Sequence, residues 1–176
     1  TFFLGILLST SLLPQFALAL ADPAKDASRP RHSNYFPAAT VAYESIGGSL
    51  SDETTAAKNT SQLVRFQFSE ADSVLYIGLQ NPFDGVSLEM SNDLGSGGAL
   101  AYEYWNGSSW ASLTGLHSED LPEGGFNTTW TRPTSWTKNT VLGADSYYFA
   151  RIVVEDAFSS AGDVEQVGVT DYNLNF

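Results

Sequence analysis

From about Val41 onward the chain is cut into short runs rich in Val, Ile, Tyr, Phe and Thr by clusters of Gly, Asn, Asp and Ser. None of these runs sustains a helical period. No other feature restricts the fold as strongly. Residues 40–46, 62–68, 73–80, 85–91, 99–105, 109–113, 126–131, 146–155 and 164–169 read as strands, and 171–176 as a last one. Val64, Phe66 and Phe68 share one face with Arg65 and Gln67 opposite, the pattern of a half-buried strand. Residues 74–79 are apolar on both faces and belong at the centre of a sheet. Short strands at this spacing predict an all-β fold: a two-sheet antiparallel sandwich of jelly-roll type. Residues 114–125 (TGLHSEDLPEGG) read as a loop. Tyr172, Leu174 and Phe176 alternate as they would in an edge strand or one donated to a neighbouring subunit.

The chain has no cysteine, so burial alone must stabilise such a sandwich. Three regions follow from composition. Residues 1–21 carry no charge and end in Ala19-Leu20-Ala21 before Asp22, as a secretory signal peptide does. The other reading is a retained apolar helix, as in a pilin-like subunit, since about 20 apolar residues reach across a bilayer. Residues 22–37 are polar, Pro-bearing and locally basic, an arm or linker; residues 38–176 are the β-sandwich domain. Export gives meaning to the glycosylation sequons at Asn59, Asn106 and Asn127.

The formal charge is −12, and no Lys or Arg lies between Arg65 and Arg132. A surface of that sign repels nucleic acid and anionic lipid, so neither is an expected partner; membrane contact is expected only if residues 1–21 are retained.

The densest aromatic stretch is 102-YEYWNGSSW-110. Asn106-Gly107 suits a two-residue type I′ hairpin, which sets Trp105 opposite Ser108 and Glu103 opposite Trp110. A four-residue turn, Asn106 to Ser109, also keeps both tryptophans on one face. Alternation then places Leu100, Tyr102, Tyr104, Ala111 and Leu113 toward the core, and Glu103, Trp105 and Trp110 on a wetter face. Two indoles beside a carboxylate are a candidate flat platform for sugars. Aromatic cover for the core is the competing reading.

Several motifs together resemble a known module. Tyr76-Ile77-Gly78, Asn81-Pro82-Phe83-Asp84-Gly85, 103-EYWNGSSW-110, 126-FNTTWTRPTSWTKNTV-141 and 147-YYFARIVV-154 occur in this order. They are similar to an aromatic-rich β-sandwich accessory module of phage tail, virion-associated and prokaryotic secreted surface proteins. The likeness runs from about Ser73 to Glu155, with Phe149-Ala150 where that module has Trp-Ile. It implies a sandwich in a surface setting and says nothing of catalysis.

The residues that carry chemistry are few. His32 and His117 are the two histidines; neither sits in a zinc-binding spacing, and no nucleophile elbow accompanies His117. Among the acids, Asp84, Glu119 and Asp120 are the candidates for a structural calcium ion, with Glu123, Asp145 and Asp156 nearby in turns. Solvated acids are the plainer reading, and no other cofactor is implied. Arg151, on a strongly apolar strand, is expected to pair with Glu103 or Glu89.

The expectation is a secreted, non-enzymatic structural or adhesive subunit of an extracellular or cell-surface assembly. Its partners are other copies or other subunits of that assembly. A carbohydrate-binding module using Trp105, Trp110 and Glu103 is the alternative from a different class, and a pilin-like subunit is the third.

Overall fold

The computed structural model describes residues 41–58, 64, 66–92, 94–121, 124–140, 146–160 and 162–170. The expected signal peptide, the arm, the strand at 171–176, the sequon at Asn59, and the candidates His32, Glu123 and Asp145 lie outside these residues.

The described chain is mostly β, with almost no helix. Its strands are β1 (Val41–Ile46), β2 (Ser49–Asp52), β3 (Val74–Leu79), β4 (Gly85–Asn92), β5 (Ala99–Trp105), β6 (Trp110–Ser112), β7 (Thr114–Asp120), β8 (Gly125–Thr131), β9 (Lys138–Asn139), β10 (Tyr147–Asp156) and β11 (Asp163–Thr170). One short helix, α1 (Thr54–Ala57), follows β2. Two antiparallel sheets result. Seven strands form one, in the order β2-β1-β3-β10-β5-β6 with β9 also on β10; four form the other, in the order β11-β4-β8-β7. Among the described residues no helix is long and apolar enough to cross a membrane.

Period-two alternation places the core between the sheets. From the larger sheet come Leu75, Ile77, Ala150, Ile152 and Val154; from the smaller come Val86, Leu88, Val167 and Val169, all buried in one cluster. Phe68 and Phe83 are fully buried, each contributing about 1.5–3 kcal/mol of transfer free energy. Trp130 and Trp136 close the cluster, and each buried indole N–H finds a carbonyl: Phe83 O for Trp130 and Phe149 O for Trp136, both at 3.1 Å. A polar chain, buried at Tyr102 and Thr128, also links the sheets. Thr128 on β8 donates to the Tyr102 hydroxyl on β5 at 3.1 Å, and Ser118 on β7 joins Thr128 at 2.9 Å.

Two expectations need correction. Of the strand expected at 62–68, only Val64 and residues 66–68 are described, and they form no strand: Val64 makes an isolated bridge to Val164, and the Phe66 N–H bonds the Val64 carbonyl at 2.9 Å. Val64, Phe66 and Phe68 are nevertheless all buried. The run 114–125 is not simply a loop, because β7 occupies its first seven residues. Every residue of β7 is exposed, so neither of its faces needed the apolar alternation that marks a strand in sequence.

Burial pushes the Tyr102 phenol up from 10.0 to about 12, and the Thr128 hydrogen bond offsets part of that. The unfolded chain therefore releases this proton first. Its contribution is whole below pH 10.0 and is lost as the pH rises to about 12. By pH 12 the loss amounts to about 2 kcal/mol. Denaturant titrations of wild type and Tyr102→Phe at pH 9 and 12 should show the wild type losing about that much more stability; parallel pH profiles would refute the assignment.

Candidate functional site

The larger sheet has a second apolar face, turned away from the core, and the residues singled out in 102–110 lie on it. Registers fix one row across five strands: Tyr43 on β1, Tyr76 on β3, Arg151 on β10, Glu103 on β5 and Ser112 on β6. The adjacent row sets Val41, Gly78 and Phe149 side by side. Phe149 is fully buried here with Tyr43 and Tyr147, and Val41, Tyr76 and Trp110 pack around them. Gly78 makes room for this packing, since a Cβ there would lie 2.6 Å from the Phe149 ring and 2.7 Å from Val41.

Arg151 sits at the polar centre of the face. Its guanidinium bonds Glu103 Oε2 at 2.5 Å, with both side chains about a fifth exposed (22% and 21%). The same guanidinium lies over the Trp110 ring, 4.5 Å from its centroid. A cation held against an indole contributes about 0.5–2 kcal/mol. Of the two pairings expected for Arg151, Glu103 is the one formed.

The hairpin closes by the longer of the two turns considered. Trp105 pairs directly with Trp110 and Glu103 with Ser112, leaving Asn106 to Ser109 as a four-residue loop. The two-residue type I′ turn fails because it needs positive φ at both central residues, and of its pair only Gly107 has it, at 104°. Asn106 acts as an Asx anchor instead. Its Oδ1 accepts from the N–H groups of Ser108 and Ser109 at 3.0 Å each, and from the Ser108 hydroxyl at 3.1 Å.

Both indoles are half-buried. Their centroids are 5.5 Å apart and their planes meet at 69°, an edge-to-face pair rather than a shared plane. Tyr76 packs on Trp110 at 5.5 Å as well. A pyranose ring stacks on a flat aromatic surface, whereas these rings brace one another and the Trp110 face carries Arg151.

The other candidate residues are dispersed. Asp84, preceding β4, takes a bidentate grip from Arg132 at 2.7 and 2.6 Å, tying the β3–β4 turn to the end of β8. Glu119 and Asp120 lie on β7, where Glu119 meets the exposed His117 ring at 3.0 Å. The calcium expectation placed Asp84 with Glu119 and Asp120; among the described residues no three acids or histidines gather into a metal-binding group. Asp156 ends β10 and is exposed. Asn127 faces Thr170, whose hydroxyl bonds its Oδ1 at 3.2 Å. Glu89 is buried on β4, away from Arg151's pairing.

Sequence reasoning overlooked two features. The first is the open edge of β7. The second is a cavity of about 440 Å3 beside it, lined by Met90, Leu94, Asp120, Leu121 and Phe126 with Gly124 and Gly125. Compared with protein-family models, curated proteins and solved structures, the chain finds no match.

The Gly78–Phe149 contact yields a direct test of this face. Gly78→Ala should cost about 1–3 kcal/mol in urea denaturation because the Cβ meets a ring that has nowhere to go. Adding Phe149→Leu should make the pair cost less than the sum of the two single changes. Strict additivity would show that the ring does not lie over the glycine.

Proposed function

We propose that this chain is an exported, non-enzymatic β-sandwich of jelly-roll type that serves as a structural or adhesive subunit of an extracellular or cell-surface assembly. The observation that carries this reading is the β7 edge: seven residues, all exposed, ending one sheet with no strand beyond them among the described residues. Such an edge invites pairing, and proteins ordinarily shorten or cover it. The jelly-roll relation draws support from the connections, since the chain passes between sheets from β3 to β4, β4 to β5, β6 to β7, β8 to β9 and β10 to β11.

The ionisable groups also favour a structural role. Asp84 with Arg132 and Glu103 with Arg151 hold strands together instead of converging on a cleft. An acidic exterior suits a module that works outside the cell in the presence of salt. The likeness of 73–155 to an accessory module of virion and surface proteins points the same way.

Sedimentation velocity and negative-stain electron microscopy of the full chain test the reading. Oligomers or filaments should grow with concentration; a monomer throughout would end the self-assembly claim.

The rival use of the outer face is glycan binding by Trp105 and Trp110 beside Glu103. It is favoured only by the partial exposure of the indoles, and the 69° between their planes argues against a stacking platform. A glycan array with wild type and Trp105→Ala separates the two. We expect no ligand whose binding the substitution abolishes, and such a ligand would reverse the preference.

A further inference from the structure

Resting on that reading, we propose that the β7 edge is the seat for the basic arm of a second copy, residues 24–36, added as a strand to the four-stranded sheet. The edge is specified in some detail by its hydrogen bonding. The Leu121 N–H bonds the Gly125 carbonyl at 3.0 Å, and the pairs Glu119↔Asn127 and His117↔Thr129 continue that register. Bonded pairs alternate in an antiparallel ladder, so residues 117, 119 and 121 turn their backbone groups toward β8. Ser118 and Asp120 turn theirs outward, to the open side. Their side chains lie on the face that looks at the other sheet: Ser118 reaches Thr128, and Asp120 borders the cavity with Phe126.

Charge decides what such an edge accepts. Glu119 and Asp120 oppose pairing with a second β7, because like charges would face one another across the ladder. A basic extended segment meets no such obstacle. The chain holds eight Lys and Arg residues, and three of them, Lys25, Arg29 and Arg31, fall in the arm. Of the four among the described residues, Arg132 and Arg151 pair with Asp84 and Glu103, Lys138 bonds Gln80 at 3.1 Å, and Lys58 is engaged as well.

The spacing of the arm matches the edge. Between Pro23 and Pro37 the single proline is Pro30. A proline is tolerated in an added strand where its nitrogen faces solvent. That phase turns the backbone groups of Arg29 and Arg31 toward β7 and puts both side chains on one face. An antiparallel register with Arg29 opposite Asp120 sets Arg31 opposite Ser118, on the face where Asp120 lies. Pro30 then points outward and discourages a further strand from adding.

A charge swap in the full chain tests this, read by sedimentation equilibrium with circular dichroism to confirm that each variant keeps its sheets. Asp120→Arg alone, and Arg29→Asp with Arg31→Asp, should each weaken self-association by about 10-fold or more. All three changes together should restore it, which lost folding or a general charge effect would not do. Wild-type association that neither variant alters would overturn the proposed seat while leaving assembly by another surface standing. A wild type that stays monomeric would remove both this inference and the self-assembly reading. An arm that folds back on its own β7 would also appear as a monomer, and would equally overturn pairing between copies.

Discussion

Strand β10 must be covered on both faces, and the rest of the architecture follows from that. Its inner residues Ala150, Ile152 and Val154 belong to the core between the sheets, while Tyr147 and Phe149 are buried on the opposite side. Neighbours on both edges, β3 and β5, satisfy its backbone. A strand buried on two faces gains burial free energy twice per turn of the pleat, at roughly 25 cal/mol for each Å2 of apolar surface. It also forces its neighbours to supply outward aromatics. Tyr43, Tyr76 and Trp110 do so, and Gly78 leaves space where a larger residue would collide.

Ion pairs finish what the aromatics begin. Arg151 stands in the middle of an apolar face, a position that strands a charge unless a carboxylate and a ring hold it. Glu103 and Trp110 are those partners. Asp84 and Arg132 repeat the device at the far end of β8, with Asp84 nearly buried. Removing one member of such a pair costs more than the pair itself contributes, because the remaining charge is then poorly solvated. These pairs therefore specify registers as much as they stabilise them: Arg151 meets Glu103 only if β10 and β5 pair as they do.

Much of this was legible in the sequence, for a physical reason in each case. The doubly apolar run of β3 announces a central strand, and the alternation of Leu100, Tyr102 and Tyr104 announces which face of β5 is buried. Arg151 on an apolar strand required an acid nearby, and Glu103 was one of two choices. The failures are equally physical. Asn106-Gly107 has the composition of a two-residue turn, yet the Asn106 side-chain Oδ1 collects the N–H groups of Ser108 and Ser109 and so stabilises a longer loop. Strand β7 carries no burial pattern because every one of its residues is exposed. The dispersal of Asp84, Glu119 and Asp120 depends on strand order, which no local pattern encodes.

The four sheet edges are treated unequally, and the inequality is informative. Strands β2 and β6 are short, with four and three residues, so each offers little to a partner. Strand β11 is met by Val64, whose N–H bonds the Val164 carbonyl at 2.9 Å. Among the described residues, β7 is the one edge that is both long and exposed throughout. Its protection is a register shift between Thr114 and His117 and acidic charge at Glu119 and Asp120. A bulge and like charges deter an identical strand, but they leave the outward backbone groups of Ser118 and Asp120 ready for one of opposite sign. An edge guarded against itself and not against others is selective, and selectivity of that kind is what an assembling subunit requires.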